Sequence, residues 1–420
     1  MPDITSTDAP EVPQNVIDKG KQSQEKRARL AAEKAAAEKA AAEAKKSTTW
    51  RIMIQPLKKW SQLFAMENLA LLFRDSLEAT IFASKFALKK KVEDEAAVMR
   101  FIKEKTSIPI PNYYTHGIAS DEFDGLGPFI LMEFISGQRL DELLCSGDKF
   151  KPTVTESQLK QVYEQIATMY LQLWSLEFDQ IGRLSWDEES MQWYVRPDPL
   201  TIKQNELECH GIKVPEIQTT PDASVYMREL INQSILGLRD KSYPIADEKT
   251  CREAYLSLMS LQAITPQMVK AEFLRGPFKL YNPDIRLGNI IADADYKIKA
   301  FIDWDFCYVA PAQFLFSPPL GLTPFDMLEC NDDELEAFKG WFNKFIMVLK
   351  GKDAVLSGLM EECMDNGTFW YNQAVQESTF WQSMLERLWT FKATPEVQEP
   401  PDMAEFIQLK LEQYREKWNL

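Results

Sequence analysis

The segment FKLYNPDIRLGNIIADADYKIKAFIDWDF, residues 278 to 306, constrains this chain more than any other. Short apolar runs alternating with turn residues predict a strand, a loop, a strand NIIA, a turn ADAD, a returning strand KIKAFI and an acidic turn. Asp284 falls in the loop, Asn289 opens the hairpin, and Asp303 stands at its far end. Because a hairpin brings its two ends together, an amide oxygen and a carboxylate emerge side by side. Such hard-oxygen ligands suit magnesium, which takes few ligands from protein and the rest from water and phosphate. Asp284, displaced by a short loop, is then placed to meet a substrate hydroxyl. A metal ion that neutralises a transferring group, with an aspartate that orients a hydroxyl and takes its proton, is the equipment of phosphoryl transfer. Asn-Pro-Asp is also a turn former, and Asp-Trp also ends strands, so these residues alone leave a site and a structural turn both open.

The surroundings narrow the choice. GPFKLYNPDIRLGNIIAD, KIKAFIDWDFCYVAPAQFLFSPP, EDEAAVMRFIKEKTSIPIP, GPFILMEFISGQRLDELL, FDQIGRL, RPDPLTIKQNEL and NGTFWYNQAVQES together resemble the kinase-like aminoglycoside and choline phosphotransferase family, in particular its fungal branch, over roughly residues 92 to 415. The resemblance implies an α+β, two-lobed protein-kinase-like fold with ATP and Mg2+ between the lobes. It also implies roles for individual residues. Asp284 matches the catalytic aspartate, while Asn289 and Asp303 match the metal ligands. Leu131, Met132 and Glu133 match the hinge, whose backbone would meet adenine. Glu95 matches the small-lobe helix glutamate that pairs with a phosphate-binding base; Arg74 is the candidate for that base, with Lys85 and Lys89 as alternatives.

The chain departs from the pattern in two places. Asn282 stands where the family's loop histidine is usual. Residues 47 to 91 are hard to match to a small lobe, and no glycine occurs between Gly20 and Gly117 to form a nucleotide-covering loop.

The expected organisation is a disordered or helical Ala/Glu/Lys-rich tail over 1–46, a small mixed N-lobe over 47–132, complete or not, and a large helical C-lobe over 133–420. Helices are predicted over 92–105, from a capping box at Thr155 and Gln158 with Leu159, Val162, Ile166, Met169, Leu173 and Leu176 at core spacing, and through much of the chain after 332. Between 180 and 250 a polar stretch followed by shorter helices is expected. A net charge of −15 disfavours nucleic acid. No apolar run approaches 18 residues, so no membrane span is expected, and His116 and His210 lack a metal-ligand spacing. Six scattered cysteines and an acidic start without a signal-like stretch suggest a reduced, cytoplasmic protein. Asp305 reads either as support for the metal site or as an exposed acid, and Arg286 either as a phosphate or substrate contact or as a loop salt bridge. The aromatics of GTFWYNQA and FLFSPP, with Cys307 and Cys363, read as core. The function expected is an ATP- and magnesium-dependent phosphotransferase acting on a small-molecule alcohol; the alternative is a catalytically impaired binding or scaffold protein of the same fold.

Overall fold

A computed structural model describes residues 69–72, 85–119, 127–241, 243–325, 327, 330–377 and 381–418. The first elements are β1 (Leu69–Leu72), α1 (Lys85–Lys105), β2 (Tyr113–Ala119) and β3 (Gly127–Glu133). They form an antiparallel sheet with β3 in the middle, Leu131 lying opposite Leu71 on one side and Thr115 on the other. Helix α1 begins seven residues before the apolar stripe predicts, because its lysine-rich first turns contain no breaker. Ala96, Met99 and Ile102 are buried, and Pro109 and Pro111 lie in the extended segment after the helix.

A short strand β4 (Gln138–Arg139) leads into α2 (Leu140–Leu144) and α3 (Glu156–Ser175). The Thr155–Gln158 capping box is formed, and Leu159, Val162, Ile166, Met169 and Leu173 are buried. The expectation for 180–250 needs correction. A hairpin of β5 (Arg183–Asp187) and β6 (Gln192–Arg196) precedes α4 (Ile202–Cys209) and a long helix, α5 (Ala223–Arg239). The polar composition there reflects hairpin and caps: Thr201 and Asp222 accept the first free N–H groups of α4 and α5.

Helix α6 (Glu248–Met268) is followed by β7 (Lys279–Tyr281), the hairpin β8 (Ile290–Ala292) and β9 (Ile298–Phe301), and β10 (Tyr308–Ala310). This is the order predicted for 278–306. Strand β8 pairs with β4 as well as β9, and β10 pairs with β7, so the catalytic-loop candidate is held at both ends by small sheets. The chain ends in α7 (Ala312–Leu315), α8 (Asp332–Lys350), α9 (Ala354–Asp365), α10 (Thr368–Gln376), α11 (Trp381–Phe391) and α12 (Met403–Trp418). Phe314, Phe316, Phe369, Trp370 and Tyr371 are buried, in keeping with the core reading. The whole is the expected α+β arrangement, a small sheet-bearing region followed by a larger helical one. Among the described residues no helix is long and apolar enough to cross a membrane.

Candidate active site

The loop after β7 is organised by two asparagines. Asn282 accepts the Asp284 N–H on Oδ1 (2.9 Å) and donates from Nδ2 to the Asp303 carbonyl oxygen (3.1 Å). Asn289 donates from Nδ2 to both the carbonyl oxygen and Oδ2 of Asp284, each at 2.9 Å. Asp284, Asn289 and Asp303 are therefore cross-tied, and Asn282, where a histidine is usual in the resembled family, supplies one of the ties. With Nδ2 of Asn289 used twice, its oxygen is the end left out of these bonds. Arg286 resolves to the salt-bridge reading, its Nε lying 3.0 Å from Asp284 Oδ1. That guanidinium is largely exposed, so the pair is worth about 1 kcal/mol or less.

Asp303 sits at φ +66° and Phe306 at φ +56°, left-handed conformations that are uncommon for residues other than glycine. They turn the chain sharply after β9, and the buried Trp304 fixes the turn by donating from its indole to the Phe301 carbonyl oxygen (3.1 Å). Helix α1 meets this turn directly. Glu95 is buried and accepts the Trp304 N–H on Oε1 (3.3 Å). One turn earlier on the helix, Lys91 Nζ lies 2.8 Å from Asp305 Oδ2 and 4.7 Å from the centre of the Phe306 ring. The carboxylates of Glu95, Asp303 and Asp305 offer oxygens within 4.8 Å of one another. Carboxylate oxygens are the hard donors that magnesium takes, so the residues present fit such an ion. Asp305 is 2% exposed, which sets aside the exposed-acid reading.

Two further ion pairs fix α1. Lys90 pairs with Asp198, and Arg183 Nη1 donates to Asp94 Oδ1 at 3.0 Å. Burial outweighs the neighbouring guanidinium and pushes the Asp94 carboxyl up to about 6.

The remaining predicted residues are placed as follows. Leu131 and Met132 lie inside β3 with strands on both sides, and the Glu133 N–H donates to the Asn112 carbonyl oxygen (2.8 Å). Their backbone is thus committed to the sheet, and the chain leaves it only at Phe134, which is 58% exposed. Backbone groups paired within the sheet are not available to an adenine ring, so 131–133 do not match the hinge role that the resemblance implies. Arg74 lies outside the described residues. Lys85 opens α1, and Lys89 is exposed beside Glu93 at 3.6 Å, away from the carboxylate cluster. Sequence reasoning missed Lys91, whose partner is 214 residues away and announced by no spacing.

Asp284 also borders a cleft of about 540 Å³ within the larger region. Its wall includes Asp141, Glu206, Glu377, Tyr281 and Tyr308. Lys203 faces it too, but its Nζ donates to the carbonyl oxygens of Leu230 (3.1 Å) and Val375 and to Ser234 Oγ (2.7 Å). Complete burial pulls that amine down to about 7. The acidic walls from Glu206 and Glu377 carried no motif in the sequence.

No protein-family model matches the chain. A curated relative in Debaryomyces hansenii, "Altered inheritance of mitochondria protein 9, mitochondrial", is 25% identical over 272 residues, which is 54% of this chain and 42% of that protein. A relative of the same name in Meyerozyma guilliermondii is 23% identical over 56% of this chain and 44% of its own length. The chain thus spans less than half the length of the curated relatives it matches. Their name overturns the cytoplasmic expectation and points to mitochondria: reduced cysteines mark a reducing environment without saying which one. Similar solved structures include Plasmodium vivax ethanolamine kinase Pv091845, with a TM-score of 0.38 and 13% identity over 78% of this chain and 71% of that one. Macrolide 2'-phosphotransferase type I has a TM-score of 0.36 and 14% identity over 74% and 80%.

Proposed function

We propose that the chain is an ATP- and magnesium-dependent phosphotransferase that moves a phosphoryl group to the hydroxyl of a small molecule. The observation that carries this reading is the cross-tied trio: Asn289 bonded to Asp284 Oδ2, with Asp303 fastened to the same loop through Asn282, beside a cleft of substrate size. Asp284 orients the acceptor hydroxyl and takes its proton, and Asn289 holds that carboxylate in place. Asn289 and Asp303 would hold the magnesium ion, which when bound neutralises charge on the transferring group. Burial of Glu95 against the Trp304 N–H fixes the turn that presents Asp303. The acidic and aromatic wall beside Asp284 suits a cationic alcohol, because carboxylates and ring faces both attract an ammonium. The name of the relatives makes mitochondria the compartment in which to seek the acceptor.

The test is titration of ATP into the full chain with and without Mg2+, followed by transfer from labelled ATP to a panel of cationic and anionic alcohols. Magnesium-dependent binding abolished by Asp303→Asn is expected, with transfer reduced about 10²- to 10⁴-fold by Asp284→Asn. Absence of binding at millimolar ATP removes the reading, and transfer confined to anionic acceptors removes the cationic class. A second reading, an impaired binding or scaffold protein, draws on Asn282 and on the Arg286–Asp284 pair at the base. Nucleotide binding without transfer to any acceptor favours it.

A further inference from the structure

Lys203 is 1% exposed at the wall of the cleft beside Asp284, and among the described residues its amine is bonded to no carboxylate. Other buried lysines of this chain are held differently: Lys90 reaches Asp198, and Lys279 reaches Glu177. A buried ammonium is costly unless an opposite charge pairs with it. The partners of Lys203 are instead neutral, the Leu230 and Val375 carbonyl oxygens and the Ser234 hydroxyl. Carbonyl oxygens only accept, whereas a hydroxyl can also donate. This set satisfies an uncharged amine completely, with two N–H groups on the carbonyls and the lone pair taking the Ser234 proton. Burial acts in the same direction and draws the group down to about 7, against the opposing fields of Glu377 and Glu206.

We propose that Lys203 is a charge gate on the cleft: a cationic alcohol and the Lys203 ammonium exclude one another, so the acceptor binds with release of the Lys203 proton to solvent. The inference rests on the cationic-acceptor reading proposed above. A cation entering the cleft raises the energy of an ammonium in its wall, and by reciprocity the ammonium weakens the cation by the same factor. An uncharged alcohol feels neither effect. The other ionisable groups are placed as follows. On α4 the neighbouring acid is Glu206, past the end of α10 it is Glu377, and α5 presents the uncharged Leu230 and Ser234. Across the cleft stand Asp141, Tyr281, Asp284, Arg286 and Tyr308. Lys203 sets which charge the cleft accepts and takes no part at the reacting atoms.

The experiment is calorimetric titration of choline into the full chain from pH 6 to 8, with dimethylbutanol, its uncharged carbon isostere, as the control. Choline carries a fixed charge and no proton that titrates in this range, so any proton released comes from the protein. Wild-type affinity for choline is expected to rise by up to about tenfold over the interval, the limit for complete exclusion by a group titrating near 7. The isostere is expected to bind equally throughout. Repeating the titration at pH 7 in buffers of different ionisation enthalpy should show release of about half a proton per choline and none per isostere. Lys203→Met, which cannot carry the charge, is expected to bind choline at pH 6 as tightly as wild type does at pH 8, without proton release. If that variant does not fold, the wild-type proton release decides by itself. A flat choline profile, proton uptake, or release that persists in Lys203→Met overturns the assignment. None of these results touches magnesium-dependent ATP binding, so the phosphotransferase reading stands or falls separately. No binding of choline at either pH removes the cationic class, and the inference with it.

Discussion

Asp94 gives the sharpest test of how α1 is seated. Its carboxyl is buried between Arg183 and Lys90, with Glu93 as the like charge nearby, and Oδ2 has no hydrogen-bond partner among the described residues. Burial raises the group from its ordinary 3.8 to about 6 despite the two cations. A raised carboxyl means the folded chain holds the proton more tightly than the unfolded one. The stabilisation it contributes is fully present below pH 3.8 and is lost as the pH rises through about 6. At 1.36 kcal/mol per pH unit this amounts to about 3 kcal/mol. Other carboxylates titrate in the same range, so the quantity to measure is the difference between wild type and Asp94→Asn. Urea unfolding followed by tryptophan fluorescence at half-unit steps from pH 4 to 7 provides it. The wild-type advantage should shrink by about 2.4 kcal/mol over that interval, the remainder lying below pH 4. A flat difference would mean that burial and the guanidinium cancel, and a rising one that the Arg183 pair dominates; either result refutes the argument.

Three other substitutions probe the site. A methyl group on Gly321 would lie 2.2 Å from the Ile285 carbonyl oxygen and 2.9 Å from the Arg286 Cα, so Gly321→Ala has to displace the loop bearing Asp284. It should cost about 1–3 kcal/mol in urea unfolding and lower transfer at least tenfold, whereas unaltered turnover would show that the loop yields freely. Asn282→Ala removes both ties between the Asp284 and Asp303 segments, and a loss of about 1–3 kcal/mol with weaker magnesium-dependent ATP binding is expected from calorimetry. Lys203→Met strands the Leu230 and Val375 carbonyl oxygens beneath the cleft and should destabilise by a similar amount, about 1–3 kcal/mol by urea unfolding; a neutral or stabilising result would mean that the buried amine contributes nothing net.

What the sequence disclosed follows from range. Asp284, Asn289 and Asp303 lie within 20 residues on one loop and hairpin, so local turn chemistry suffices to bring them together. Helix α3 was legible for the same reason, since its cap and its apolar stripe are both short-range patterns. Residues 127–133 were legible only as a strand: period and composition mark GPFILME, but which residues have neighbours on both sides depends on β1 and β2. Gly321 occupies an ordinary-looking turn, and only the approach of Ile285, distant in sequence, explains why a side chain is excluded. Likewise the core reading of FWY in α10 holds, while the neighbouring Gln373, Gln376 and Glu377 reach the cleft wall.

One long-range feature does leave a trace in the chain, and it concerns the helix on which both the cluster and Asp94 depend. In KKVEDE, residues 90 to 95, two lysines are followed four residues later by two acids. On a helix, positions four apart lie nearly in line and adjacent positions about 100° apart, so the segment carries two lysine-acid stripes rather than one. One stripe, Lys90 and Asp94, meets Asp198 and Arg183 around the β5–β6 hairpin. The other, Lys91 and Glu95, meets Asp305 and the Trp304 N–H at the acidic turn. Each stripe faces partners of complementary polarity in the same order along the helix. Rotating α1 by one residue would set Lys91 toward the hairpin, withdrawing the ammonium from Asp305 and Glu95 from the Trp304 N–H. Like-charge and unpaired-charge costs in this buried setting are large compared with those at a surface, so the doubled pattern selects one rotational register for the helix. In that register the carboxylate cluster and the Lys91–Asp305 pair are assembled by folding itself.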